Sequence, residues 1–143
     1  ASDVYKRQAI AGVLAMNPDI LILDEPTAGL DPKGREELFS QLKEMHETRH
    51  LTIVLISHSM EDVARYVEEL IVLYRGEIAF KGDTREVFKH RERLEEIGLG
   101  VPQIRHIMDA LKEKGMLVDT DVLTVEEAAS KLIACLEKEV NNA

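Results

Sequence analysis

Residues 20 to 32 read ILILDEPTAGLDP, and the fold is decided there. Together with Asp19, the aliphatic run Ile20 to Leu23 and the acids Asp24 and Glu25 (DILILDE) form a short, nearly all-apolar stretch. Such a stretch reads as a strand covered on both faces of a parallel sheet. Asp31-Pro32 then reads as a helix start: the Asp31 carboxylate can cap free backbone N–H groups, and Pro32 suits the first helical position. Leu38, Leu42 and Met45 continue as an apolar stripe at helical spacing.

Reading outward, Ala9 to Met16 is helix-like and is closed by Asn17-Pro18. Downstream, Leu51 to Ser57 (LTIVLIS) reads as a second buried strand. Ser59 and Asp62 approximate a capping pair for a short helix. Leu70 to Tyr74 and Glu77 to Lys81 flank Arg75-Gly76, which predicts a hairpin. Asp83-Thr84 opens a short helix through Phe88. After about His90 no strand-like run remains. Gln103 to Lys114 is amphipathic, with Ile104, Ile107, Met108 and Leu111 on one face and Gly115 as the stop. Thr124 and Glu127 form a capping-box pattern ahead of a helix over Ala128 to Val140. The fold class expected is α/β, with a helical appendage; residues 1–89 form one domain segment and 90–143 the appendage.

Bulk properties narrow the function. Of 143 residues, 45% are hydrophobic and 31% charged, so a packed fold is expected. The formal net charge of -9 argues against general nucleic-acid binding and against electrostatic attachment to anionic lipid. The single cysteine, Cys135, lies among Leu132, Ile133 and Leu136 and reads as a small core residue in a reducing compartment. The apolar runs are too short to span a bilayer, so any membrane role runs through partner proteins.

The chemistry concentrates at strand ends. In open α/β sheets ligands bind beyond the carboxyl ends of the strands. Asp24 and Glu25 are adjacent, face opposite sides, and can take different tasks. One suits a hydrated Mg²⁺, which prefers carboxylate and water oxygens; the other can orient or deprotonate a water that attacks a phosphate. A bare acid pair is more often a solvated strand end. His58 follows the second strand directly, on the side of Asp24 and Glu25 if the strands are parallel, where an imidazole can donate to a phosphate oxygen. His46, His50, His90 and His106 have no such context and read as surface residues. Lys33 and Arg35 read as a solvated helix face.

Context adds to this. Ile20 to Pro32 resembles the Walker B and D-loop segment of ATP-binding-cassette (ABC) ATPases, a class of P-loop NTPase, and Ile56 to Val63 (ISHSMEDV) resembles their switch-histidine loop. The resemblance implies ATP and Mg²⁺ as cofactors. It implies Asp24 as the Mg²⁺-associated acid, Glu25 as catalytic base, His58 as the contact to the γ-phosphate, and Asp31 as the D-loop acid at the interface of two ATPase subunits. Leu70 to Leu73, Gly76 to Ile78 and Gly82 to Phe88 resemble the elements that close transporter ATPase domains. Asp24 to Arg35, Ser57 to Asp62 and Ile97 to Leu111 (IGLGVPQIRHIMDAL) resemble the ATPase subunits of energy-coupling-factor importers. That likeness implies a second ATPase subunit, identical or different, a transmembrane coupling subunit and a substrate-binding membrane subunit as partners. It also implies a peripheral position at the cytoplasmic face of the cell membrane, with vitamins or metal ions as cargo.

Departures from the pattern matter too. No G-x-x-x-x-G-K followed by Ser or Thr occurs in the sequence, so the backbone cradle for the phosphates is not among these residues. Ala1 to Gln8 (ASDVYKRQ) stand where the signature glycines are expected and read as an arbitrary start or as sequence foreign to the gene. The expectations are that this chain alone does not hydrolyse ATP and that apolar sheet faces are left uncovered. Two other readings compete. A DNA-maintenance ATPase of the same superfamily would carry a coiled-coil insertion and basic surfaces. A non-enzymatic dimerisation module would use the stripe Ile104, Ile107, Met108 and Leu111.

Overall fold

The computed structural model describes residues 2–141. The chain forms two compact units, one running up to His58 and the other starting at Ser59. Ala1, in the stretch read as foreign, lies outside the described residues.

The first unit is α1 (Ser2–Leu14), β1 (Ile20–Asp24), α2 (Pro32–Arg49) and β2 (Thr52–Ile56). α1 starts at Ser2 rather than Ala9, and its exit passes through Asn17 at φ 49°. β1 and β2 pair in parallel, from Ile20 opposite Thr52 to Asp24 opposite Ile56. A parallel pair needs a crossover connection, and α2 provides it. α2 begins as its sequence dictates: the Asp31 side chain accepts a hydrogen bond from Gly34 N at 2.7 Å, with Pro32 first in the helix.

Alternation along β1 sets the core. Leu21 and Leu23 are buried, as are Leu38, Phe39 and Leu42 of α2, and Leu51. The strands are not covered on both faces, and the expectation that apolar sheet faces are left uncovered is met. Ile20, Ile22, Val54 and Ile56 are exposed, Ile22 at 64% against 3% for its neighbour Leu21. The reason is layering: α2 covers one face of the pair, and among the described residues nothing buries the other.

The second unit opens with α3 (Met60–Tyr66), capped by Ser59, whose Oγ accepts from Asp62 N at 3.3 Å. β3 (Glu69–Tyr74) and β4 (Glu77–Asp83) form an antiparallel hairpin with a register shift between Val72 and Leu73. Arg75 (φ 52°) and Gly76 (φ 82°) both take positive φ, as a two-residue type I′ turn demands. The helices α4 (Thr84–Phe88), α5 (Arg91–Glu96), α6 (Gln103–Glu113) and α7 (Val125–Asn141) follow. Asp83 caps α4 by accepting from Arg85 N at 2.9 Å and Glu86 N at 3.2 Å.

Among the described residues, two apolar clusters lie in this unit. One joins Val63, Ala64, Val72, Val87, Phe88, Leu94, Val101 and Leu123. The other joins Met108, Val118, Val122 and Ala128, with Ile104, Leu111, Leu132 and Cys135 against it. Cys135 is therefore a half-buried member at the cluster's edge. Ile107 departs from the expected stripe and is exposed. No described helix is long and apolar enough to cross a membrane.

Candidate active site

The site is built where the two parallel strands end. β1 stops at Asp24, and Glu25 N still donates to Ile56 O at 2.9 Å, so Glu25 is stitched to the end of β2. Its φ is 46°, in the left-handed region that L side chains rarely adopt. That conformation breaks the strand's alternation and turns the side chain away from its extended course. The turn beyond is closed by Ala28 N donating to Glu25 O at 3.2 Å and Leu30 N donating to Thr27 O at 3.1 Å. Gly29, at φ 79°, supplies the positive dihedral this turn needs.

β2 then delivers His58. Its backbone N donates to Glu25 Oε1 at 2.9 Å, and its ring Nδ1 lies 2.7 Å from the same oxygen. An ionised carboxylate only accepts, so Nδ1 carries the proton in this contact. Nε2 is then an acceptor in the neutral ring and a donor only in the imidazolium. The His58 side chain is 84% exposed and that of Glu25 33%, so the pair faces open solvent. Both His58 donors converge on Oε1, and among the described residues no hydrogen bond reaches Oε2, the oxygen a water can approach.

Glu25 and His58, far apart in sequence, are thus brought into contact. Asp24 is exposed and follows Ile20 and Ile22 on the uncovered face of β1, and Asp31 sits at the foot of α2 with its carboxylate on Gly34 N. Neither joins the Glu25–His58 contact. Asp24 offers one exposed hard oxygen donor group, and among the described residues no cluster of three or more His, Cys, Asp or Glu could hold a metal. That donor set fits Mg²⁺ bound jointly by one carboxylate, waters and a substrate phosphate, and does not fit an all-protein cage.

The other histidines separate from the site. His46 Nδ1 lies 2.8 Å from Leu51 O, and His90 stacks on Phe80 with ring centroids 5.1 Å apart. Lys33 pairs with Glu37 at 3.8 Å on an exposed helix face. The sequence reading gave no part to Thr27, which is only 4% exposed between β1 and α2. A small hydroxyl residue between Pro26 and Ala28-Gly29 was the available signal.

Comparison with known proteins bears on this geometry. Residues 5–63 match the family described as AAA domain, putative AbiEii toxin, Type IV TA system. The chain is 50% identical over 133 residues to the energy-coupling factor transporter ATP-binding protein EcfA2 of Acetivibrio thermocellus, covering 93% of this chain and 47% of that protein. It is 51% identical over 131 residues to the protein of the same name from Caldanaerobacter subterraneus, covering 92% and 46%. It spans about half the length of the curated relatives it matches. Among solved structures, cbiO1 from Clostridium perfringens, part of the ABC transporter complex cbiONQ, aligns with TM-score 0.59 at 40% identity, covering 76% of this chain and 43% of that one. A dimeric bacterial ABC transporter cassette aligns with TM-score 0.54 at 36% identity, covering 59% and 36%.

Proposed function

We propose that this chain, about half identical to ATP-binding proteins of energy-coupling factor transporters over about nine-tenths of its length, belongs with them among the ABC ATPases, and that its parent protein hydrolyses ATP to drive import through membrane partner subunits. The observation that carries this reading is the Glu25–His58 contact, made where two parallel strands end. It is the arrangement that a water-activating base with a phosphate-facing imidazole requires.

In this reading Glu25 Oε2 takes a proton from a water as the water oxygen attacks the terminal phosphorus of ATP. The bond from that phosphorus to the bridging oxygen breaks, giving ADP and inorganic phosphate. His58 holds Glu25 through Oε1, and in its imidazolium form Nε2 can donate to a γ-phosphate oxygen. Asp24 contributes one carboxylate to Mg²⁺, which when bound offsets charge on the phosphates. Asp31 faces a second ATPase subunit, identical or different, while its carboxylate also starts α2. Residues 1–89 belong to the ATPase domain and 90–143 to a helical C-terminal domain. A transmembrane coupling subunit receives the movement, a separate membrane subunit selects a vitamin or metal ion, and the assembly works at the cytoplasmic face of the cell membrane.

Glu25→Gln in the intact parent tests the base. Phosphate release should fall by about 10²- to 10⁴-fold while MgATP binding is retained. We also propose that the 143-residue chain alone does not hold nucleotide firmly, since it contains no phosphate-cradling glycine loop. Calorimetry with MgATP checks this: submicromolar binding by the isolated chain would overturn it.

A further inference from the structure

The second unit contains a joint that is electrostatic where a continuous core would be expected. Its two apolar clusters divide almost cleanly along the chain. Met108, Val118, Val122 and Ala128 form one, and of the described residues beyond Pro102 only Leu123 is a buried member of the other. The segment from α6 to α7 therefore has its own small core and inserts one buried apolar side chain into the cluster built on the hairpin, α3, α4 and α5.

Charge pairs supply the rest of the joint, and they share a polarity. Arg65 of α3 meets Glu126 at 2.7 Å, Arg91 of α5 meets Asp109 at 2.7 Å, and Arg85 of α4 meets Glu127 at 2.7 Å. The base comes from the hairpin side each time and the acid from the α6–α7 side. His106 and Glu95, 4.0 Å apart, are the reverse arrangement.

Glu127 differs from the other acids because it does two tasks at once. Its Oε2 accepts from Leu123 N at 2.9 Å, and its own N donates to Thr124 Oγ1 at 3.2 Å, which together begin α7. Its Oε1 accepts from Arg85 Nη2. Arg85 Nη1 also donates to Asp121 O at 3.1 Å. The cap of α7, the placement of Leu123 and the grip of Arg85 thus pass through a single carboxylate.

We propose that Arg85 and Glu127 form an electrostatic lock that couples the start of α7 to its docking, so that residues 103–141 dock and release as a unit. Side chains about one-third exposed at both partners make the lock sensitive to ionic strength. Released, the segment keeps its own cluster and exposes Leu123.

Hydrogen exchange on the full chain, read by mass spectrometry, tests this. Peptides from α6 and α7 are followed against peptides from 63–88, at low and at high NaCl. Salt is expected to speed exchange in the α6–α7 peptides and leave 63–88 unchanged. Arg85→Gln is expected to speed it by about tenfold at low salt and to reduce the salt effect to the part carried by the Arg65–Glu126 and Arg91–Asp109 pairs; exchange unchanged by Arg85→Gln would overturn the lock. The double exchange Arg85→Glu with Glu127→Arg is expected to restore part of the protection. If Arg85→Gln unfolds the chain, the salt series on the unaltered protein decides alone. Exchange in both regions rising together, or α6–α7 exchange insensitive to salt, would overturn the proposal.

Discussion

Glu25 holds a left-handed backbone at φ 46° although it is not glycine. For an L residue this costs roughly 1–2 kcal/mol, and the hydrogen bonds from His58 and to Ile56 O keep it there. A residue retained in a strained position at a strand end is the pattern expected where chemistry, and not stability, chooses the side chain. Glu25→Gly should therefore leave folding stability within about 1 kcal/mol of the starting protein, because relief of strain offsets the lost contacts and the added chain entropy. The same change in the parent should abolish phosphate release. Denaturant melts beside a phosphate-release assay check both halves. The carboxylate's position after an aliphatic strand was legible in the sequence; its positive φ was not, since it follows from tying Glu25 to β2, a strand more than twenty residues away.

At the scale of elements, caps and turns are legible in the sequence, and so is the meeting of Glu25 and His58 at the ends of parallel strands; the ion pairs between distant helices are not. The Asp31 cap, the Arg75-Gly76 turn and the Asp83 cap each depend on neighbours within a few residues, and each is present as the sequence implied. α5 is not legible in the sequence: it is one short turn-and-a-half element whose N-cap, His90, makes no side-chain capping bond. The Thr124–Glu127 pattern marked the start of α7, yet nothing local disclosed that Glu127 also reaches Arg85. That contact carries a pH consequence. Burial raises the Glu127 pKa, but the hydrogen bonds from Leu123 N and Arg85 outweigh it, so the folded value lies below the ordinary 4.5. A depressed carboxylate contributes stability that is fully present above the unfolded value and is lost as pH falls through the folded one. α7 protection should thus hold at neutral pH and fall away below about 4.5. Arg85 and Lys131 are the charged groups acting on Glu127, and Glu126 and Asp119 are also lowered, held by backbone and Arg65 contacts and by Lys131 respectively. Glu127→Gln should accordingly weaken the acid dependence of α7 exchange without removing it.

At the scale of the whole molecule, the parallel pair has one buried face and one exposed face. Alternation buries Leu21 and Leu23 and leaves Ile20 and Ile22 in solvent. The sequence reads as strands meant for burial on both faces, and among the described residues only one layer, α2, covers them. Substitutions should separate the faces. Leu42→Ala should cost about 2–5 kcal/mol, whereas Ile22→Thr should stay within about 0.5 kcal/mol; chemical denaturation of the first unit's signals checks the contrast. The proposed function belongs to the intact parent protein, with Asp24, Glu25, Asp31 and His58 as the proposed site residues. Its most direct test is phosphate release by the intact parent protein in MgATP, compared with Glu25→Gln under saturating nucleotide. The account predicts robust release from the unaltered protein and loss of release with nucleotide still bound in the variant; release at an unchanged rate from Glu25→Gln would contradict it.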